Sequence, residues 1–176
     1  WFNLSNRIIF DKVKMINRYE NRSDLWIYDI DKKKSERLTL GARAREASVS
    51  PNDKNVVFIQ LKGGVTDLVI LDLETKNSRT LYHGELMEKL SAPRFTSEDE
   101  IIFSSRRINQ KDRLVKISMT QPIPEDFLPS YNNARSLRKN SSGILFSSTK
   151  NGVNNIYFVK NDSGTASSCI VFTGGL

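Results

Sequence analysis

One cysteine, Cys169, and one histidine, His83, are all that 176 residues offer of those two types. A lone cysteine excludes an intramolecular disulfide and every zinc site built on paired thiolates. A lone histidine leaves no second imidazole for a metal and no partner set for a Ser-His-Asp arrangement, so no catalytic residue, metal ligand or cofactor is assigned. Long apolar runs are missing too: the longest, such as Leu68 to Leu71, are strand-sized, far short of the roughly 18 residues that cross a bilayer as a helix. Position 1 is Trp with no charged-then-apolar leader behind it, which fits a removed targeting peptide or a piece of a longer chain. What is present is a 38% hydrophobic, 27% charged chain with a formal charge of +7, a composition that folds and is attracted to anionic surfaces.

A repeat runs through the chain. Two aliphatics followed by Phe occur at Ile8-Ile9-Phe10, Val56-Val57-Phe58, Ile101-Ile102-Phe103 and Ile144-Leu145-Phe146, the phenylalanines 48, 45 and 43 residues apart. A second apolar run follows each: Leu25 to Asp29, Leu68 to Asp72, Leu114 to Ile117 and Ile156 to Val159. A third lies at Arg37-Leu38-Thr39, Arg79-Thr80-Leu81, Phe127-Leu128 and Ile170 to Thr173, and a fourth precedes the Phe signature at Ala47 to Ser50, Pro93 to Thr96 and Ala134 to Leu137. The runs are short, rich in Val, Ile, Phe and Tyr, and bounded by Asn, Asp, Ser and Gly, which is strand-and-turn chemistry. Ser50 to Lys54, Thr96 to Glu100 and Lys139 to Gly143 are the turns closing the first hairpin of each unit, and Gly63-Gly64 and Gly174-Gly175 read as turns. Four strands at a period of 40 to 45 residues predict an all-β chain, a β-propeller of four-stranded antiparallel blades with repeats at about 1–46, 47–92, 93–138 and 139–176.

Ser48-Val49-Ser50-Pro51-Asn52-Asp53-Lys54-Asn55-Val56-Val57-Phe58, Ser23 to Asp29 and Phe146 to Tyr157 are where the chain resembles the TolB-like (WD-type) propeller family, whose repeat carries Ser-Pro-Asp-Gly-Lys, aliphatics and Phe, then a loop into Ile-Tyr or Leu-Trp and Asp. The copies are degenerate: Asn52-Asp53 stands where Asp-Gly is usual, and the fourth repeat has neither Pro nor Asp-Gly. The resemblance implies about four blades of a six- or seven-bladed propeller, part of a larger bacterial envelope protein, hence a periplasmic or extracellular location. It also implies a likeness to propellers that accompany peptidase domains, although no His-Glu-x-x-His helix is present.

Loops between the second and third strands, and between blades, share one rim. The segments expected there carry twelve cationic against five acidic residues, an excess of seven. Arg43, Arg45, Arg106, Arg107 and Lys150, with Tyr131 among them, are the candidate contacts for a protein or peptide of acidic surface, since Arg and Tyr suit interfaces. Nucleic acid is not expected, because the Lys32-Lys33-Lys34 run reads as a solvated turn with no aromatic platform beside it. His83 is expected as a surface-loop histidine without defined carboxylate geometry, Cys169 as a small packed residue, and Trp26 and the strand tyrosines as blade core. Asp29-Ile30-Asp31 lacks the remaining spacing of a calcium loop. Open blade edges allow self-association.

Overall fold

The computed structural model describes residues 1–131, 133–139, 142–150, 152–160 and 166–170. Among them there is no helix; fifteen strands form four antiparallel meanders. The first sheet has three strands, β1 (Arg7–Asn17), β2 (Glu20–Asp29) and β3 (Lys34–Arg37). The second has four, β4 (Ala44–Val49), β5 (Asn55–Lys62), β6 (Val65–Asp72) and β7 (Ser78–His83). The third runs β8 (Lys89–Phe95), β9 (Glu100–Arg106), β10 (Arg113–Ser118) and β11 (Glu125–Phe127), and the fourth β12 (Arg135–Lys139), β13 (Gly143–Ser148), β14 (Asn155–Lys160) and β15 (Ala166–Ile170). Every Phe signature falls in the hairpin strand expected of it, with Phe10 opposite Trp26, Phe58 opposite Val69, Phe103 opposite Val115 and Phe146 opposite Tyr157.

The chain divides into two compact units, Trp1–Met87 and Glu88–Leu176. In the first unit Leu25, Ile27, Val49, Val56, Phe58, Val69 and Leu71 form one buried cluster with Phe2. Val57, Ile59, Leu68 and Ile70 alternate with these onto the other face of the second sheet and are buried as well. Burial on both faces is why β5 and β6 are unbroken apolar runs rather than alternating ones. In the second unit Ile102, Leu114, Leu137, Ile144, Phe146, Tyr157 and Val159 cluster with Tyr131.

Turns follow from local chemistry. Between β5 and β6, Gly63 and Gly64 both take positive φ, 59° and 84°, the two-residue turn whose twist matches its strands. Between β4 and β5, the Lys54 N–H donates to Asn52 Oδ1 (3.0 Å), the Asn55 N–H donates to Ser50 Oγ (2.9 Å), and Asp53 sits at φ 57°. The Phe2 N–H donates to the Arg7 carbonyl (3.0 Å) across the same five-residue interval at which the Ser50 N–H reaches Asn55 (2.8 Å).

Some expectations change. Strand β3 ends at Arg37, and Leu38 and Thr39 lie past it, their N–H groups directed to the Leu25 carbonyl. Trp26 and Tyr28 are only half-buried: the Trp26 ring lies 5.2 Å from Lys12 Nζ and 5.9 Å from the Arg37 guanidinium, so this face of the sheet is closed by long cationic side chains instead of core, whereas Tyr157 is core. The side chain of Cys169, the residues Val171 to Thr173 of the last apolar run, and the Gly174-Gly175 turn lie outside the described residues.

Candidate functional site

The β1–β2, β5–β6, β9–β10 and β13–β14 hairpins and the links between sheets carry the expected cations, and the structure adds a device the sequence did not announce. Where β4 pairs with β5, β8 with β9 and β12 with β13, the register slips between Arg45 and Ser48, Ser91 and Arg94, and Arg135 and Arg138. At each slip one residue without a glycine's freedom takes the left-handed conformation: Glu46 (φ 56°), Ala92 (50°) and Ser136 (56°). A bulge re-aims the side chains beside it. Arg45 and Arg135 stand directly before two of these bulges.

In the first unit, Glu20 Oε1 is shared by Arg22 Nε at 2.8 Å and Arg43 Nη2 at 2.9 Å. Hydrogen bonds from Arg22 and then Arg43 hold the Glu20 carboxyl below the usual carboxylate range, and Glu20 in turn raises Arg22. Arg45 Nε lies 3.8 Å from Glu46. At the far end of β7, His83 Nδ1 lies 2.7 Å from Oδ1 of the buried Asp67. This corrects the expectation of a loop histidine with no defined carboxylate: the β6–β7 register sets Asp67 opposite His83. The imidazole is still 71% exposed. Gly84, the next residue, donates its N–H to the Thr66 carbonyl (3.2 Å), and a Cβ there would come within 2.3 Å of that oxygen.

In the second unit two buried carboxylates organise four arginines. Glu88 accepts the Ser105 hydroxyl (2.6 Å) and lies 3.5 Å from Arg107 Nε and 3.9 Å from Arg113 Nη2, while Arg113 Nη1 reaches Asp126 at 2.6 Å. Asp112 holds Arg135 by a short contact to Nε and has Arg106 Nε at 4.0 Å. Lys150 Nζ sits 4.0 Å above the Tyr131 ring. Tyr131 itself is buried, edge-on to Phe146 (5.4 Å) and Tyr157 (4.9 Å). The structure therefore puts Tyr131 in the core beneath Lys150 instead of on the open rim, because the link after β11 folds inward at that point.

Of the residues singled out from the sequence, Arg106 and Arg107 belong to different carboxylates of one cluster, Lys150 and Tyr131 touch each other, and Arg43 and Arg45 belong to the first unit. Arg135 was missed, as were the roles of Glu88 and Asp112. A signal existed: Asp24-Leu25 and Asp67-Leu68 already place a carboxylate just before the second apolar run, and Asp112-Arg113-Leu114 repeats that with one residue inserted. In the first unit the buried Asp24 accepts Arg37 Nη2 (2.6 Å), the Thr39 hydroxyl (3.0 Å) and the Ala42 N–H (3.0 Å). Among the described residues no group of three or more His, Cys, Asp and Glu side chains could hold a metal ion.

No protein-family model matches the chain, and no curated protein matches it. Solved structures do. TolB from Acinetobacter baumannii is similar at a TM-score of 0.75 and 16% identity, with 94% of this chain covering 42% of that one. The β-propeller domain of the Trilobed protease from Pyrococcus furiosus, described as having an open velcro topology, is similar at 0.66 and 12%, 96% of this chain covering 55% of that one. The tricorn protease is similar at 0.72 and 11%, 93% covering 21%. At such identities the likeness is one of fold: the chain has a TolB-like β-propeller fold, its four sheets are blades, and it spans only part of the length of the proteins it matches.

Proposed function

We propose that the chain is a non-catalytic propeller scaffold that docks a protein or peptide of acidic surface through its rim arginines, in a periplasmic or extracellular setting. One observation carries this: Glu88 and Asp112 are buried, and each is shared by two arginines. A guanidinium is a planar fork, so a carboxylate shared by two of them fixes their planes, and the four arginines exceed Glu88, Asp112 and Asp126 by one charge held in a set geometry. Ordered arginines lose less entropy on binding than solvated ones, which separates a docking site from loops that merely happen to be basic. The same pairs make reversal to Glu a poor test, since a carboxylate at 107 would face the buried Glu88.

Substitution of Arg106→Lys with Arg107→Lys keeps the charge and removes the planar fork. With a fluorescein-labelled Asp/Glu-rich peptide as probe, anisotropy is expected to report binding weakened about tenfold, on the order of 1.4 kcal/mol, with the thermal midpoint retained. Equal affinity for the double variant would mean diffuse charge attraction and would overturn the assignment.

A second role, as the accessory propeller of a larger peptidase that shapes substrate access, is supported by the likeness to the Trilobed and tricorn proteases. Hydrolysis would then belong to a domain outside these residues. A parent reading frame encoding His-Glu-x-x-His or Gly-x-Ser-x-Gly favours that role.

A further inference from the structure

The β1–β2 hairpin differs from its counterparts. Phe58 is followed by four more residues of β5, Phe103 by three of β9 and Phe146 by two of β13, but Phe10 by seven of β1, to Asn17. At about 3.4 Å per residue, the three residues gained over β5 carry the tip roughly 10 Å beyond the point where β5 turns. Pairing persists to the end, with Met15 opposite Asn21 and Asn17 opposite Glu20, and Asn17 Oδ1 accepts the Tyr19 N–H at 3.0 Å to close the turn. The arm is thus a built element.

Its tip is apolar and uncovered. Val13, Met15 and Ile16 are exposed by half or more and Tyr19 by 95%. Val13 and Met15 share one face, Ile16 occupies the register slip between Met15 and Asn17 with no cross-strand partner, and Tyr19 sits in the turn, so apolar groups surround the end instead of lining one side. Lys12 and Lys14 lie behind the tip and Arg18 is in the turn, while the nearby acid, Glu20, is already taken by Arg22 and Arg43. A one-sided protein groove would meet only one of these faces. A medium that encloses the tip while presenting negative charge to its collar meets all of them.

We infer that this arm docks on an anionic lipid surface, Met15, Ile16 and Tyr19 entering the interface and Lys14 and Arg18 meeting the headgroups. The reach suits the roughly 5–10 Å depth at which interfacial elements bury apolar faces, and Tyr and Lys are residues that settle at that boundary. This goes beyond the arginine rim and does not depend on it.

The test is co-sedimentation of the chain with vesicles of phosphatidylcholine alone and with one quarter phosphatidylglycerol. The wild type is expected to sediment with the anionic vesicles and to stay in the supernatant with the neutral ones. Met15→Ser, Ile16→Ser and Tyr19→Ser together leave the charge unchanged and are expected to weaken binding at least tenfold. Lys14→Glu with Arg18→Glu is expected to do the same, each lost cation counting for about fivefold. Lys32→Glu with Lys33→Glu makes an equal charge change at the opposite end of the sheet and is expected to leave most of the binding. A wild type that ignores both vesicles overturns the inference and leaves the arm to a protein partner. Undiminished binding by the triple Ser variant, or an equal loss in the Lys32/Lys33 variant, overturns it as non-specific charge attraction.

Discussion

Asp53 occupies a left-handed position where the family pattern carries glycine, and its side chain explains the exchange. Its carboxylate accepts the Asn3 N–H at 2.7 Å and the Leu4 N–H at 2.9 Å, two backbone donors that glycine would leave to water. The left-handed conformation costs an L-residue roughly 1–2 kcal/mol, and each hydrogen bond to a charged acceptor contributes about 1.5–3. Asp53→Gly therefore removes strain but loses more than it gains. A net destabilisation of about 1 kcal/mol is expected in urea unfolding, and a stabilised variant would show that the two bonds contribute nothing. The departure was visible in the sequence; its compensation was not, because residues 3 and 53 meet only after two sheets have packed.

The bulges are the informative feature at the scale of elements. Glu46, Ala92 and Ser136 recur at the repeat period yet share no residue type, so no motif marks them. Only the left-handed backbone is common to the three. Ala92→Gly and Ser136→Gly are expected to stabilise by about 0.5–1 kcal/mol each, since glycine adopts this conformation without a Cβ penalty. A loss of stability at both would mean that the side chains, not the backbone, define the bulge. The third blade shows how a degenerate repeat is repaired. Ser118 stands where β2 and β6 end in Asp29 and Asp72, which accept backbone N–H groups of the following turn. Asp99 reaches across from the β8–β9 turn instead, accepting the Ser118 hydroxyl (2.6 Å) and the Thr120 N–H (3.0 Å).

Across the whole molecule, the carboxylates set the response to acid. Glu20, Asp29, Asp72 and Asp99 are held below their usual range, by arginine in the first case, by the N–H and then the ammonium of Lys32 at Asp29, by the N–H and hydroxyl of Thr75 at Asp72, and chiefly by the Ser118 hydroxyl in the last. Burial pushes the Asp24 carboxyl up, but the Ala42 N–H, Arg37, the Gly41 N–H and Thr39 together outweigh it and leave it lowered. A lowered folded-state value means that the unfolded chain binds protons first as pH falls. The contribution is fully present above the unfolded values, about 3.9 for Asp and 4.3 for Glu, and is lost as pH drops through the folded ones. Denaturation midpoints are expected to be flat with respect to these groups from pH 7 to about 5 and to fall steeply below about 4, less steeply in Asp24→Asn. Unchanged acid sensitivity in that variant would remove Asp24 from the account.

Composition, repeat period and turn chemistry by themselves determined that the chain is all-β, that it is built of repeated antiparallel units, four-stranded in all but the first, and which strand each Phe signature occupies. These are local or periodic properties, written in the spacing of apolar residues and in the side chains of Ser50, Asn52 and Gly63-Gly64. Tertiary structure alone decided which carboxylate holds which arginine, that Tyr131 lies in the core under Lys150, and that Glu88 and Asp112 are buried anchors shared by pairs of arginines. The reason is physical: an ion pair or a buried ring is fixed by where residues distant in sequence are brought together, and that depends on sheet register and bulge geometry, to which sequence spacing is blind.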